Sequence, residues 1–361
     1  MIDPIGFTEP LLAWYHDNRR VLPWREHPDP YRVWVSEIML QQTQIDTVIP
    51  YFERFIAHLP TVADLAAVAD EVLYKLWEGL GYYRRAANLK KAARTILDLH
   101  AGQIPADVPA LLALPGIGAY TAGAIASIAF QRREIAIDGN VKRVIARVFG
   151  ITEPVDAPAT AKAIAARVQE RQPALRPGDF TQAMMELGAV VCLPSSHPKC
   201  EECPLADLCI ARRMAAFASI PAKTTKRPRK IEERTIFVLQ AADRYFLCKR
   251  PHQGLLADLW EFYGTAGCLD PETAKAHVRK LFGPIQTFTS LADRNYVFTH
   301  LEWRLRGYAV ELIDPNPGIP GQFVNAAELA SGFPLPSAFQ SYLTDIRKQE
   351  ATASPSVRPA A

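Results

Sequence analysis

Residues 111–121 read LLALPGIGAYT and are followed by the apolar run AGAIASIAF. Pro115 ends a predicted helix, Gly116 and Gly118 permit a tight turn, and a second helix is predicted to begin near Ala119. The pattern predicts a helix-hairpin-helix, although an ordinary helix–helix turn can have the same composition. With no side-chain bulk at the two glycines, backbone N–H groups can converge on a nucleic-acid phosphate, so both are candidate phosphate-binding residues.

The sequence on either side of the hairpin is predicted to be mostly helical. From Thr8 to about Ala216 apolar residues recur at helical spacing, as at Tyr31, Trp34 and Ile38. Residues 1–216 are therefore expected to form one helical domain.

The composition changes after that domain. Residues 221–230 read PAKTTKRPRK, with five basic residues and two prolines, so we expect a linker over 217–232. Short apolar runs and one helical stretch from Pro271 to Phe282 then predict a small α/β domain over 233–345. Residues 346–361 are expected to be a disordered tail.

Two carboxylates have contrasting surroundings. Glu37 lies in the predicted helix YRVWVSEIMLQQTQ beside Val33, Trp34 and Leu40, and an acid in such apolar surroundings should have a raised pKa. Asp138 follows an apolar run in EIAIDGNVKRV, where an N-cap is the ordinary reading. A proton donor and a carboxylate are nevertheless the pair that cleavage of a glycosidic bond requires.

Four of the six cysteines lie within eighteen residues, separated by seven, two and five residues. In a reducing compartment this spacing indicates metal ligation rather than disulfides. Four thiolates suit either zinc or an iron-sulfur cluster, and the spacing does not decide between them. The four are Cys192, Cys200, Cys203 and Cys209.

Length and charge set further bounds. A chain of 361 residues predicts two domains. The net charge is +4 over residues 1–230 and −1 over 231–361, which is compatible with a polyanionic partner. Since no run of 18 apolar residues occurs and the N-terminus lacks a signal-peptide pattern, we expect an intracellular, cytoplasmic protein without a membrane span.

Several motifs in order resemble the MutY family of adenine DNA glycosylases, which belongs to the helix-hairpin-helix superfamily together with endonuclease III. The resemblance is close over about the first 210 residues and looser in the C-terminal domain. The motifs are LPWR (22–25), VSEIMLQQTQ (35–44), GLGYYRRAANL (79–89), LPGIGAYTAGAI (114–125), IDGNVKRV (137–144) and the cysteine cluster.

The resemblance implies the catalytic roles. Glu37 resembles the general acid that protonates the leaving adenine, and Asp138 the carboxylate that stabilises the oxocarbenium-like sugar. Tyr120 and Asn140 resemble supporting polar residues of that site. Bifunctional relatives have a lysine at the position of Tyr120 to form a Schiff base, which a phenol cannot do, so a monofunctional glycosylase is expected.

Enzymes of this family flip the target adenine out of duplex DNA. The resemblance assigns one set of residues to the pocket that receives the adenine and another to the gap that it leaves in the duplex. The opposite base is predicted to be 8-oxoguanine or guanine, and the protein is predicted to act as a monomer. The adenine pocket is predicted to contain Trp24, Arg25, Leu40, Gln182 and Met185, and the residues at the vacated stack and the opposite base are Gln42, Thr43, Leu80 and Tyr82.

The four cysteines resemble the family's 4Fe-4S ligands, with one departure. The gap between Cys192 and Cys200 is seven residues, where six is usual, so the intervening loop is one residue longer. We expect that loop to absorb the extra residue while the cluster is retained.

Residues 233–345 resemble the Nudix-like domain of the family, which helps to recognise 8-oxoguanine. The helical stretch PETAKAHVRKLFG lacks the glutamates that a Nudix hydrolase uses to hold magnesium, so a binding module is expected. Phe298, Thr299 and His300 resemble the family's Phe-Ser-His motif at the lesion, although a lone histidine at a strand end is more often a surface residue.

Two other functions compete with this interpretation. An endonuclease III-like pyrimidine glycosylase and lyase is disfavoured by Tyr120 and by the C-terminal domain. A non-catalytic DNA-binding protein would use the hairpin as a clamp, but it would not require both Glu37 and Asp138.

Overall fold

The computed structural model describes residues 4–26, 28–194, 197–224 and 228–353. Contacts divide the chain into two compact units. The first comprises Met1–Val68 and Ala87–Lys226, and the second comprises Ala69–Ala86 and Arg227–Ala361. Over the described residues, every helix is too short or too polar to cross a membrane.

The N-terminal half is helical, as its periodicity predicts. The helix α6 and the start of α7 group with the second unit. The helices are α1 (Pro4–Asn18), α2 (Pro23–Glu26), α3 (Pro30–Met39), α4 (Ile45–His58), α5 (Val62–Ala67), α6 (Asp70–Leu76), α7 (Arg84–His100), α8 (Val108–Ala113), α9 (Ala119–Ala124), α10 (Gly139–Phe149), α11 (Pro158–Arg171), α12 (Pro177–Val190) and α13 (Ile210–Arg213), with a π-helix at Ile125–Ala129 and 3-10 turns at Cys200–Glu202 and Ala206–Leu208.

Local sequence signals set the ends of the two helices that carry the carboxylates. Asp29 caps α3 by accepting hydrogen bonds from the backbone N–H groups of Tyr31 (2.9 Å) and Arg32 (3.1 Å). Asp138 caps α10, and Gly150 ends it in the left-handed conformation at φ 63°. The caps define where each helix begins, and so they set the positions of Glu37 along α3 and of Asp138 at the N-terminus of α10.

The predicted helix-hairpin-helix is confirmed. α8 ends at Ala113, and α9 begins at Ala119 after the turn. Gly116 has φ 80°, and a Cβ added there would lie 2.6 Å from the Cβ of Asn88, so both conformation and space require glycine. The hairpin therefore packs closely on α7.

The core of the first unit lies between α1, α10, α11 and α12. Fully buried residues on these helices include Phe7, Ile145, Ile164 and Leu187. Each such side chain stabilises the fold by roughly 1.5–3 kcal/mol on burial. This packing fixes α10 against α12 and so supports the position of Asp138.

The second unit contains a seven-stranded mixed sheet. In it β6 pairs parallel with β1 and antiparallel with β4 and β5, while the remaining pairs are antiparallel. The path runs β4-β6-β1-β3-β2-β7, with β5 on β6. The strands are β1 (Lys230–Ala241), β2 (Arg244–Lys249), β3 (Trp260–Ala266), β4 (Ile285–Ser290), β5 (Arg294–Val297), β6 (Leu301–Leu312) and β7 (Gln322–Asn325), and the helices are α14 (Pro271–Phe282), α15 (Ala326–Gly332) and α16 (Ser337–Ala353).

Both faces of the central strand β1 are covered, because successive side chains point to opposite sides. Phe237 and Leu239 face the cluster that contains Phe282 of α14. Ile236 and Val238 face the cluster that contains α16 residues such as Phe339 and Tyr342. The α/β architecture expected from the sequence is confirmed.

Two expected boundaries differ from the structure. β1 begins at Lys230, inside the expected linker, because its first residues already pair with β6. α16 continues to Ala353, past the expected start of the tail at residue 346, because Ile346 is buried in the core beside α16's other apolar residues. Residues 225–227 and 354–361 lie outside the described part of the chain.

Candidate active site

Glu37 is a buried acid on α3. Its residue is only 5% exposed, and the neighbouring Val33 and Trp34 are equally enclosed. Burial raises the pKa of Glu37 to about 7, the hydrogen bond from Tyr120 lowers it in part, and the negative charge of Asp138 raises it further. Glu37 can therefore hold a proton near neutral pH.

Tyr120 on α9 is the direct partner of this acid. Its hydroxyl donates a hydrogen bond to Oε2 of Glu37 and lies 3.8 Å from Sδ of Met185. Burial and the charge of Glu37 hold the pKa of Tyr120 well above its ordinary value, so the phenol stays a neutral donor. The hairpin thus brings Tyr120, Glu37 and Met185 together.

Asp138 combines the N-cap role with a place beside Glu37. Its Oδ1 accepts the backbone N–H of Val141 at 2.8 Å, and its Oδ2 accepts the side-chain amide of Asn140 at 2.7 Å. Burial raises the pKa of Asp138, and these two hydrogen bonds oppose that rise. The carboxylate of Asp138 therefore accepts hydrogen bonds from two donors, a backbone N–H and a side-chain amide, whereas that of Glu37 accepts one from the hydroxyl of Tyr120.

Asn140 connects this carboxylate to the cysteine region. Its Oδ1 accepts a hydrogen bond from Nη2 of Arg143 at 2.8 Å, and Nε of Arg143 donates to the carbonyl of Cys192 at 2.8 Å. A Cβ added to Gly188 would lie 2.4 Å from Cβ of Asn140, so this close approach of α12 requires a glycine. The orientation of Asn140 is therefore fixed from two sides.

The four predicted ligand cysteines line one cavity, together with Arg147 and apolar residues of α10 and α12. Arg147 is 1% exposed, and its Nη1 donates to Sγ of Cys192 at 3.5 Å. Over the described residues, no group of three His, Cys, Asp or Glu side chains is placed to hold a single metal ion. Residues 195–196 of the longer loop lie outside the described residues.

The four cysteines of this cavity form a donor set that a 4Fe-4S cluster can use. Zinc draws its thiolates onto one ion at about 2.3 Å each. A 4Fe-4S cluster binds each thiolate through a different iron and so accepts a wider arrangement of sulfurs around one cavity. Arg147 also supplies a hydrogen bond of the kind that stabilises a ligand sulfur.

Glu186 is a buried carboxylate near the candidate site that was not among the residues predicted from the sequence. It is 1% exposed on α12 and pairs with Arg20 at 2.7 Å and Arg25 at 2.8 Å. Burial alone would raise its pKa, but the hydrogen bonds from the two arginines hold the pKa at about 2. A charged residue within the apolar stretch AMMELG was the available signal.

The predicted pocket residues have varied surroundings. Trp24 is buried, with its ring edge against Phe52 at 5.2 Å between centroids. Arg25 is held by Glu186, and its positive charge lowers the pKa of Glu37. Leu40, Gln182 and Met185 are partly exposed. Sδ of Met185 accepts a hydrogen bond from the hydroxyl of Tyr120.

The predicted DNA-contacting residues of the first unit lie on turns. Gln42 is exposed and has φ 57°, an unusual backbone conformation for a residue with a side chain. Thr43 donates its backbone N–H to the carbonyl of Leu40 at 3.3 Å. Gly118 caps α9 and has open space around the position of a Cβ, so packing alone does not require glycine there.

The remaining predicted DNA-contacting residues lie in the second unit. Tyr82 is 45% exposed at φ 48°, while Leu80 is buried. Phe298 contacts Trp303 edge to face, with 5.0 Å between ring centroids, and its backbone N–H donates to the carbonyl of Leu301 at 2.7 Å. The exposed Thr299 and His300 therefore form the tip of the tight hairpin between β5 and β6.

Comparisons with known proteins agree with this architecture. A family model for HhH-GPD superfamily base excision DNA repair proteins matches residues 35–173, and one for the NUDIX domain matches residues 235–345. The adenine DNA glycosylase of Rattus norvegicus is 33% identical over 90% of this chain and 76% of its own length. The adenine DNA glycosylase of Homo sapiens is 32% identical over 86% and 68%.

Two solved structures resemble the helical part. A thermostable thymine-DNA glycosylase aligns with a TM-score of 0.54 and 29% identity, covering 58% of this chain and 97% of that one. A trapped covalent complex of endonuclease III with DNA aligns with a TM-score of 0.50 and 24% identity, covering 59% and 99%. The second likeness concerns the fold alone.

Proposed function

Because the chain belongs to the adenine DNA glycosylase family of base excision repair enzymes, we propose that it hydrolyses the N-glycosidic bond of adenine mispaired with 8-oxoguanine or guanine in double-stranded DNA. The observation that carries this proposal is the contrast between two neighbouring carboxyl groups. Glu37 has a pKa of about 7, whereas Asp138 accepts two hydrogen bonds that favour its ionised form. The pair provides an acid and an anion at one site.

Glu37 is the general acid in this proposal. The hydroxyl of Tyr120 already donates to Oε2 of Glu37, so the acidic proton belongs on Oε1. As the bond from the sugar to adenine breaks, this proton passes to a ring nitrogen of the base, which leaves neutral. Water then adds its hydroxide to the sugar carbon and releases one proton, which balances the reaction.

Asp138 stabilises the positive charge that develops on the sugar. Its orientation is fixed by Val141 and Asn140, so no rearrangement is needed as the charge forms. Arg143 in turn holds Asn140. Removing the negative charge of Asp138 should therefore lower the rate of adenine release without altering the position of α10.

The reaction stops at base release, because Tyr120 occupies the position from which an amine would attack the sugar. Its hydroxyl is committed to Glu37 and its pKa is raised. A phenol forms no Schiff base. The protein is therefore proposed to be a monofunctional glycosylase without strand-cleaving activity.

A 4Fe-4S cluster is the proposed resident cofactor, held by the four cysteines of the cavity beside α10. When bound, such a cluster supplies a rigid anchor for its loop and an electron-transfer group. The chain's own contribution is the enclosure by Arg147 and the link from Cys192 through Arg143 toward Asn140. Loading of the cavity is thus coupled to the order of the active site.

DNA recognition is proposed to use both units of the chain as a monomer. The hairpin glycines Gly116 and Gly118 bind backbone phosphate, and adenine flips toward Glu37. Tyr82 and Gln42 present exposed side chains at positive φ, as expected of residues that replace a flipped base. Thr299 and His300 at the hairpin tip read 8-oxoguanine.

The decisive experiment is a single-turnover assay of adenine release from duplexes with adenine opposite 8-oxoguanine, guanine or thymine. Release should be fastest opposite 8-oxoguanine and should fall at least a hundredfold in Glu37→Gln and in Asp138→Asn. The matched control is Glu71→Gln, which changes an exposed glutamate of α6. Removal of pyrimidines with strand cleavage would instead support an endonuclease III-like activity.

A further inference from the structure

The segment that carries Tyr82 belongs by its contacts to the second unit, although it lies in the first quarter of the sequence. Lys75 and Glu78 make two of the contacts that hold it there. Nζ of Lys75 donates to the carbonyl of Leu329 at 3.3 Å, and Oε1 of Glu78 accepts the backbone N–H of Leu335 at 2.9 Å. The segment is therefore fastened to the same unit as the Thr299–His300 tip.

The two fastening residues also pair with each other. Nζ of Lys75 lies 2.6 Å from Oε2 of Glu78, and their side chains are only 23% and 16% exposed. Each therefore has one partner within the segment and one on the backbone after β7. Leu329 and Leu335 are themselves buried, 4% and 1% exposed, so the anchor points are rigid.

Glu78 directly precedes the turn that presents Tyr82. Three of the next four residues, Gly79, Gly81 and Tyr82, have positive φ, at 102°, 69° and 48°. A non-glycine residue in this conformation is retained only when its surroundings impose it. The chain on the N-terminal side of the turn therefore has to be held firmly.

The turn itself is held by two donors. The indole N–H of Trp77 donates to the carbonyl of Gly81 at 3.0 Å, and Arg85 donates to the carbonyls of Leu80 and Gly81 at 3.1 and 3.2 Å. These contacts set the shape of the turn. They lie within the segment, whereas Lys75 and Glu78 contact the backbone after β7 and so help to set the place of the turn relative to the sheet.

We propose that Lys75 and Glu78 are positioning residues for recognition of the base opposite adenine: they fix the Tyr82 turn to the unit that carries Thr299 and His300, so that both elements meet that base in one geometry. The inference rests on the proposed function and deepens it. Both residues are proposed to act through the turn and not by contacting DNA. Their effect should appear as a loss of discrimination between opposite bases rather than as a general loss of rate.

The test is the ratio of single-turnover rates of adenine release opposite 8-oxoguanine and opposite guanine. In Glu78→Ala the ratio should fall about tenfold, as expected for loss of a charge-assisted hydrogen bond at a partly buried site. Glu78→Gln keeps an acceptor for the backbone N–H of Leu335, so its rate ratio should lie between those of wild type and Glu78→Ala. The matched control is Glu71→Ala on the same helix, whose pair with Lys249 at 3.7 Å is about half exposed and should leave the ratio within twofold.

A double-mutant cycle separates coupling from simple destabilisation. His300→Ala should lower the ratio by itself, and adding Glu78→Ala should then lower it little further, because the two changes disable one recognition geometry. Equal slowing opposite both bases by Glu78→Ala and Glu78→Gln, or fully additive effects with His300→Ala, would overturn the inference while leaving the proposed function intact. A wild-type protein with equal rates opposite both bases would overturn the inference and the proposed recognition of 8-oxoguanine by Thr299 and His300, and absence of adenine release would overturn the proposed function itself.

Discussion

The raised pKa of Glu37 makes the pH dependence of adenine release the sharpest test of the active site. With a pKa of about 7, the protonated fraction falls about tenfold between pH 6 and pH 8 and changes little below pH 6. An acid with its ordinary pKa of 4.5 would instead lose about a hundredfold over the same interval. Single-turnover rates measured from pH 5 to pH 9 distinguish the two cases.

The same shift must appear in protein stability. Between pH 4.5 and 7 the folded protein holds the Glu37 proton that the unfolded chain has released. Stability therefore falls as the pH rises through this window, by roughly 3 kcal/mol in total for a shift of this size on a buried group. Glu37→Gln keeps an acceptor for Tyr120 and removes the titration, so its stability relative to wild type should increase by that amount across the window.

Denaturant unfolding of both proteins at pH 5 and pH 7.5 measures this difference, and comparison of the pair cancels the other titrating groups. The raised pKa of Glu37 is refuted if the difference in unfolding free energy between the two proteins is the same at both pH values. The role of Glu37 as general acid is refuted if wild-type adenine release speeds up from pH 6 to pH 8, or if Glu37→Gln releases adenine at the wild-type rate.

Other expected outcomes concern the remaining groups of the site. Asp138→Asn should keep the α10 cap and lose at least a hundredfold in release rate, with circular dichroism unchanged. Glu186→Gln should destabilise the fold by about 2–3 kcal/mol in denaturant unfolding, since Arg25 loses its buried partner. Borohydride should trap little crosslink between wild type and DNA, and abundant crosslink would refute the role of Tyr120. Cys203→Ser should lower the iron content and visible absorption of the purified protein, and unchanged iron would refute the ligand assignment.

Local features of the fold were predictable because they depend on local chemistry. The turn around Gly116 and the start of α9 at Ala119 follow from proline, glycine and apolar periodicity. The same holds for α14, whose predicted span of 271–282 matches the observed helix. In each case the signal and the structure lie within a dozen residues.

Features that depend on tertiary contact were not predictable. The sequence of α6 reads as one more helix of the first domain. It groups with the sheet because residues such as Lys75 and Glu78 contact residues more than 250 positions later in the chain. Glu186 and its arginines are separated by more than 160 positions. β7 is four residues long and gains its identity only from pairing with β2.

The two candidate carboxylates could be named from the sequence, but the difference between their surroundings could not be predicted from it. Sequence alone gives two carboxylates, each with an apolar run nearby. In the structure Asp138 lies at the N-terminus of a helix, where the backbone N–H of Val141 and the amide of Asn140 favour its charged form. Glu37 lies within its helix, where the backbone N–H groups are already paired with backbone carbonyls. The hydroxyl of Tyr120 donates a hydrogen bond to its carboxyl group. Burial raises the pKa of both carboxyl groups, and at Asp138 the hydrogen bonds from Val141 and Asn140 oppose that rise. The position of Asp138 at a helix end supplies these donors, and the position of Glu37 inside a helix does not.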